Sequence, residues 1–351
     1  MKICQLACGD ELHRYKKSLV LTFSGPRKVL STGLNNGGCR TDLAAVFNND
    51  GNPGPGMQFA MRADTYQEHL DVVARDDLGL DPDMCTGFCT AASMDNVSIQ
   101  TMTHEDFSVT AVVTGGIENN GCRIGDPASY TEKPGTINIL LHIDADLSDG
   151  VLVKALASCA EAKTAAIQEL MAASRASNGL ATGSGTDGII AVCNPTSGRT
   201  LTDAGHHSKL GEYIGRTVMK AVKEALFLQT GLNPRSQHDV LRRMDRFGVT
   251  ADALWDAYKK KGELPRYAFE DRSDRLKTMD NLVTCTSLYA HLLDQIGWGL
   301  LTPGEAWQVG RQLLEMAGMP RSDDGEIPED SAAAVPWMTE RFMEGLLHLL
   351  G

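Results

Sequence analysis

Two short stretches carry the residue types best suited to chemistry. Gly183-Ser184-Gly185-Thr186-Asp187-Gly188 sets a carboxylate and two hydroxyls among glycines. Glycines hold a loop open and let a ligand approach the backbone closely, so Gly183 and Gly185 read as contact points, with Thr186 and Asp187 pointing into a site. The string also fits G-x-G-x-x-G. A predicted helix precedes it and a predicted strand follows, the reverse of the strand–loop–helix order that a dinucleotide site needs. It reads equally as a helix-to-strand turn in which Asp187 makes local bonds. The second stretch, Ala204-Gly205-His206-His207-Ser208-Lys209-Leu210-Gly211-Glu212, runs into a predicted helix. His206, His207 and Ser208 there could serve as a base, a metal ligand or an anion-binding group, beside free N–H groups and the positive end of the helix dipole. Lys209 and Glu212 lie one turn apart and share a face. The plainer reading makes Ser208 an N-cap and Glu212–Arg216 a surface pair.

A repeat adds further candidates. Residues 32–40, Thr-Gly-Leu-Asn-Asn-Gly-Gly-Cys-Arg, align with 115–123, Gly-Gly-Ile-Glu-Asn-Asn-Gly-Cys-Arg. The alignment superposes Gly33 on Gly116, Asn36 on Asn119, Gly38 on Gly121, Cys39 on Cys122 and Arg40 on Arg123. The offset is too long for a solenoid period, which points to two related halves that bring similar loops together. Asn supplies donors and acceptors, and Arg a planar fork, so Asn36, Arg40, Asn119 and Arg123 are candidate substrate contacts. His142 and Asp144, at the end of a predicted strand, are further candidates. Cys4/Cys8 and Cys85/Cys89 are C-x3-C pairs, whereas zinc sites favour C-x2-C. Histidines and carboxylates permit a divalent metal, but no ligand spacing demands one, and no other cofactor is indicated.

The elements that must position these groups come next. Strands are expected at 19–23, 28–31, 107–114, 136–143 and 188–193, and helices at 65–78, 148–176 and 208–228, the long ones from their apolar stripes. After residue 230 the pattern is helical only, with stretches near 236–247, 250–260, 275–296, 303–317 and 334–350. All four tryptophans lie in this tail. The expected fold class is α+β, a mixed sheet with packed helices and an internal duplication, followed by an all-α C-terminal domain. The boundary is set near residue 230, giving 1–230 and 231–351.

Composition narrows the function. With 42% apolar and 22% charged residues the chain is an ordinary globular protein. A net charge of -12 argues against a nucleic-acid or anionic-membrane binder. The apolar run before Cys8 is too short for a signal peptide, and no run reaches membrane-spanning length. Nine cysteines in a long chain fit reduced thiols. A cytoplasmic protein without membrane insertion is expected, and a homo-oligomer is left open.

Taken together, three segments resemble a known family. They are Gly115–Pro127 with Gly135-Thr136-Ile137-Asn138-Ile139, then Ala181–Asp187, then His207-Ser208-Lys209-Leu210-Gly211-Glu212-x-Ile214-Gly215, with Glu161-Ala162-Lys163 in the helix between. Over about residues 17–228 the chain resembles the adenosylcobinamide amidohydrolase family of corrinoid salvage. The resemblance implies a corrinoid small molecule as substrate and hydrolysis of its amide to adenosylcobyric acid and 1-amino-2-propanol. Small residues are usual in the family where Cys122 and His206 stand here, and the helical tail lies outside its core. Amide hydrolysis needs an activated water, an oxyanion stabiliser and an acid for the leaving amine. On this reading His207 or Asp187 activates water, Lys209 with glycine-loop N–H groups stabilises the oxyanion, and Glu212 orients Lys209 or His207. Gly183, Gly185, Thr186 and Ser208 line the substrate, and the Asn36/Arg40 and Asn119/Arg123 loops grip the amide-rich corrin rim. The alternatives are a corrinoid-binding or delivery protein without catalysis, or a hydrolase of the same fold acting on another amide.

Overall fold

The structure, a computed structural model, describes all residues except 55, 56, 58, 129–134, 261 and 322–324. The chain divides into two compact units. One comprises Met1–Ala176 and Leu180–Asn233, the other Ser177–Gly179 and Pro234–Gly351.

The first unit holds the strands β1 (Lys2–Gln5), β2 (Glu11–Tyr15), β3 (Ser18–Thr22), β4 (Lys28–Ser31), β5 (Gly38–Arg40), β6 (Ala45–Asp50), β7 (Cys85–Thr90), β8 (Ser98–His104), β9 (Phe107–Gly116), β10 (Gly121–Cys122), β11 (Thr136–Ile143), β12 (Asp146–Leu147), β13 (Gly183–Ser184), β14 (Gly188–Cys193) and β15 (Thr200–Leu201). Its helices are α1 (Tyr66–Val72), α2 (Asp149–Glu169) and α3 (Lys209–Thr230). One sheet runs β1-β2-β3-β6-β7 and the other β5-β4-β14-β11-β9-β8. The same path is taken twice. An antiparallel hairpin (β2-β3, β8-β9) receives an antiparallel third strand (β6, β11), and a helix (α1, α2) then leads to a parallel fourth (β7, β14). The connections between second and third strands contain the two glycine loops, and β5 and β10 begin at aligned positions, Gly38 and Gly121.

Side-chain alternation explains the layering. On β11, Ile137, Ile139, Leu141 and Ile143 pack with α2 and α3, together with Val109, Ala111 and Val113 of β9. Leu140 points the other way, into a core with Leu19, Leu21, Val46 and Phe88 of the first sheet. On that sheet Val20, Ala45 and Phe47 turn outward onto α1. The unit is thus a four-layer sandwich, helix–sheet–sheet–helices. Strands covered on both faces read as near-continuous apolar runs, which is why the expected limits of β4, β11 and β14 match the observed ones. The inter-sheet layer also buries polar residues: Asn138 donates to Asn48 Oδ1 at 2.9 Å, and Asn48 donates to Thr114 Oγ1 at 2.8 Å.

Some elements depart from expectation. The helix expected at 148–176 ends at Glu169. Met171 adopts φ 51° and Ala173 bridges Leu180, so Asn178-Gly179 is a turn between paired segments, not a helix cap. The stretch at 65–78 starts on a Thr65 capping box and is α-helical only to Val72, continuing as π-helix over Val73–Leu78. Strands β1, β2, β7 and β8 were not among those expected.

The second unit has α4 (Val240–Met244), α5 (Ala251–Tyr258), α6 (Arg266–Leu276), α7 (Asp280–Gly297), α8 (Pro303–Met316) and α9 (Ser331–Leu350), and no strand among its described residues. The segment expected as one helix from 275 to 296 is split between α6 and α7. Tyr289, Trp307, Met338 and Phe342 lie in its core. Arg246 forms a buried bidentate pair with Asp294, and its guanidinium also donates to the Asn178 carbonyl. Removing one partner of a buried pair strands a charge, at about 3–5 kcal/mol. Asp294→Ala is therefore expected to unfold the helical unit at markedly lower urea, seen by tryptophan fluorescence because all four tryptophans lie there. An unchanged midpoint would refute the pair's importance.

Candidate active site

At the N-terminal ends of β11 and β14 three elements meet on one carboxylate. Asp187 Oδ1 accepts from the Ile137 backbone N–H at 2.8 Å and from Ser184 Oγ at 2.6 Å. Its Oδ2 accepts from the Ser184 backbone N–H at 3.0 Å and from the Lys163 ammonium of α2. Asp187 and Lys163 are about nine-tenths buried (10% and 12% exposed), in contrast to the surface ion pairs of the chain. An ionised carboxylate offers about four lone-pair sites, and all are taken. Asp187 is therefore built to hold its neighbours and has little capacity left to take a proton.

The backbone makes room for this pairing. A Cβ on Gly183 would lie 2.4 Å from Asp187 Oδ2 and 2.6 Å from Lys163 Nζ, so only glycine fits there. Gly185 is exposed and has no such constraint. Thr186 Oγ1 lies 2.6 Å from Thr136 Oγ1 and donates to the Gly135 carbonyl at 3.0 Å. Gly183 and Ser184 pair antiparallel with Cys122 and Gly121, which ties the second glycine loop to the Asp187 turn. The first loop leaves from the same end of the sheet. Thr32 N–H donates to the Ile189 carbonyl at 3.1 Å, and Ile189 N–H to Thr32 Oγ1 at 3.0 Å.

The two loops differ in what they offer. Asn36, in the left-handed region at φ 49°, donates to the Pro82 and Cys85 carbonyls at 2.6 and 2.8 Å and accepts from Arg40. Arg40 forks onto Asp42 at 2.7 Å. These two residues hold their own loop, so the substrate grip expected of them would require breaking those bonds. In the second loop Asn119 is exposed, and the Arg123 side chain makes no hydrogen bond among the described residues. Burial, reinforced by Asp187 and Asp126 and opposed by Lys163, raises the Cys122 pKa, which disfavours a thiolate nucleophile there.

The loop before α3 runs along α2. Lys154 pairs with Asp203, Ser158 Oγ donates to the Ala204 carbonyl at 2.8 Å, and Glu161 lies 3.2 Å from His206. That track ends two residues from Lys163. Ser208 is the N-cap of α3, accepting from Gly211 N–H at 2.9 Å. Lys209 is exposed and pairs with Glu212 at 2.8 Å, and Arg216 reaches the same carboxylate at 3.3 Å. The Glu212 hydrogen bond raises the Lys209 pKa, and Lys209 lowers that of Glu212. The cation on Asp187 is thus Lys163, and Lys209 belongs to a surface pair. His207 is exposed and makes no side-chain hydrogen bond among the described residues. The sequence carried Lys163 only inside Glu161-Ala162-Lys163, where nothing distinguished it from any helix lysine.

A second polar cluster lies in the inter-sheet layer at the far end of β11. Asp10 and Arg27 form a buried bidentate pair, with Arg27 Nε and Nη2 at 2.8 and 2.7 Å. His142 Nε2 lies 3.0 Å from Asp10 Oδ2 and 3.5 Å from Cys8 Sγ. Desolvation alone would raise the Asp10 pKa, but hydrogen bonds from His142, Arg27 and Ser24 override it and hold the carboxyl well below the usual range. Desolvation lowers the His142 pKa and the Asp10 and Cys8 contacts raise it, leaving it above the ordinary imidazole value. Asp144 accepts from Asn194 Nδ2 at 2.7 Å, and Asn194 Oδ1 accepts from Arg27.

With this geometry in view, comparison with known proteins is direct. A family model described as adenosylcobinamide amidohydrolase matches residues 4–234. An uncharacterized protein of Methanocaldococcus jannaschii, MJ1613, is 34% identical over 239 residues, covering 63% of this chain and 89% of that one. The adenosylcobinamide amidohydrolase of Methanosarcina mazei is 28% identical over 221 residues, covering 61% of this chain and 96% of its own length. The solved PH0078 protein from Pyrococcus horikoshii OT3 is matched over 66% of this chain and 85% of its own, at 13% identity and a TM-score of 0.31. No helix among the described residues is long and apolar enough to cross a membrane. The family match spans both glycine loops, Lys163, Asp187 and the start of α3, and the chain belongs to the adenosylcobinamide amidohydrolase family.

Proposed function

We propose that this chain hydrolyses the amide of adenosylcobinamide, giving adenosylcobyric acid and 1-amino-2-propanol. The observation that carries the reading is the family match, whose span encloses the whole Asp187–Lys163 centre. The chemistry needs a base for water, a positive group for the oxyanion and an acid for the amine. Asp187, with its acceptor sites filled, serves as the positioning group that fixes Lys163 and Ser184. Lys163 stabilises the oxyanion, the role first set on Lys209. His207, exposed and without a side-chain hydrogen bond among the described residues, is the base that activates water and then protonates the leaving amine. Exposed Asn119, Gly185 and Thr186, with half-buried Arg123, supply hydrogen bonds to the amide-bearing corrin rim. Leu34 and Ile124, exposed apolar side chains on or beside the two loops, suit the flatter apolar parts of the ring. The protein acts on a small corrinoid and works in the cytoplasm.

The direct test incubates the full chain with adenosylcobinamide and quantifies free 1-amino-2-propanol. Stoichiometric release is expected. A corrinoid spectral change without amine would make the protein a binder, and the reading would fail. His207→Ala and Lys163→Met should each lower kcat by at least about 10²-fold, and near-normal turnover in both would remove the assigned roles. Gly183→Ala forces the Asp187 carboxylate off its partners and should cost about 1–3 kcal/mol of stability along with most activity. Gly185→Ala, with open space around it, should be nearly silent in a thermal melt, and equal losses at the two glycines would contradict the geometry.

A further inference from the structure

We propose that Cys8, Asp10 and His142 form a binding site for one zinc-class divalent cation, at the end of β11 opposite the Asp187 centre. Their donor atoms (thiol sulfur, carboxylate oxygen and imidazole nitrogen) all lie within 4.8 Å of one another. Nε2 stands 3.5 Å from the sulfur and 3.0 Å from the carboxylate oxygen. An ion at ordinary zinc bond lengths with tetrahedral angles would hold N and S about 3.6 Å apart and N and O about 3.4 Å apart. The carboxylate–imidazole contact would open by a few tenths of an ångström, and the sulfur and carboxylate oxygen, within 4.8 Å of each other, would settle at tetrahedral spacing.

The alternative of a Cys–His–Asp relay conflicts with the same distances. A relay uses one ring nitrogen for the thiol and the other for the carboxylate. Here both lie on Nε2, so His142 could take the Cys8 proton only by giving up Asp10. Convergence of three donors on one point is what a cation requires. The surroundings also suit a ligand set. Ser24 N–H and Oγ hold Asp10 Oδ1 at 2.8 and 3.0 Å, and Arg27 grips the carboxylate from outside. Arg27 is itself held by Asn194 at 3.1 Å. Such outer contacts fix a ligating carboxylate. A sulfur and an imidazole select zinc, cobalt or iron over magnesium and calcium. Asp10 and His142 are buried while Cys8 is half-buried, so the ion enters past Cys8.

The protons balance as follows. The Cys8 thiol releases its proton to solvent and binds as thiolate. His142 binds through Nε2 as neutral imidazole with its proton on Nδ1. One proton leaves per ion if the ring starts neutral, two if it starts charged. The site stands apart from the amide chemistry, since Ile137 and His142 are separated by about 17 Å of strand.

The test uses the full chain stripped with a chelator and titrated with Co2+, then Zn2+. One Co2+ per chain is expected, with a thiolate-to-cobalt charge-transfer band that Zn2+ abolishes. Cys8→Ser should remove the band and weaken Zn2+ binding at least about tenfold, while Cys4→Ser keeps both. If Cys8→Ser does not fold, alkylation of the wild type read by peptide mass spectrometry replaces it, and Zn2+ should protect Cys8. Absence of stoichiometric cobalt, a band lost in Cys4→Ser, a band surviving in Cys8→Ser, or Cys8 alkylated equally with and without Zn2+ would each overturn the site.

Discussion

The Asp187 carboxylate is the point on which the glycine-loop end of the sandwich depends. It draws one donor from β11, one from α2 and two from its own turn, and so fixes a strand, a helix and a loop in a single geometry. Charge-assisted hydrogen bonds of this kind are about twice as strong as neutral ones, and close packing leaves no slack, as the space denied to any Cβ at Gly183 attests. Without that carboxylate, Lys163 would be a nearly buried ammonium with no counter-charge, which a low-dielectric site does not tolerate.

The duplicated path explains why the Asp187 centre lies where it does, and why the first glycine loop differs from the second. In each half, the connection between second and third strands meets the turn that enters the fourth. In the first half Asn36 closes that arrangement by bonding the Pro82 and Cys85 carbonyls, and Met84 is the residue before the fourth strand. In the second half the corresponding position is Asp187, with Gly183-Ser184 paired to the loop. One half is closed by amide-to-backbone bonds, and the other carries the charge. This asymmetry gives the two halves of a structural repeat different loop ends, with a buried carboxylate–lysine pair at the second.

Much of the fold was legible because burial on both faces writes itself into composition. β11 and β14 are nearly unbroken apolar runs. The edge strands β1 and β8, and β2 beside β1, mix lysine, glutamate, arginine, histidine and threonine, and were lost among loops. The site was half legible. Glycine spacing singled out Gly183, Thr186 and Asp187, and Ser208 showed both of its readings, of which the cap is the one formed. The cation could not be read, because Lys163 meets Asp187 across 24 residues whereas Lys209 is adjacent to the histidines in sequence. Asp10, Arg27 and His142 come together from separations of 17 and 132 residues, and no local pattern announces such a meeting. His142 was noticed, and Cys8 only as half of a C-x3-C pair, while Asp10 and Arg27 were not.

The central claim is that Asp187 positions Lys163 and does not itself take the proton from water. The pH–rate profile of Asp187→Asn against the wild type tests it most directly, with adenosylcobinamide as substrate and amine release as readout. If Asp187 is a positioning residue, kcat falls by about 10²-fold or more, yet the acidic limb keeps its midpoint, because the titrating base is elsewhere. If the acidic limb disappears or shifts in Asp187→Asn, the carboxylate is the base, and the account given for this centre is wrong.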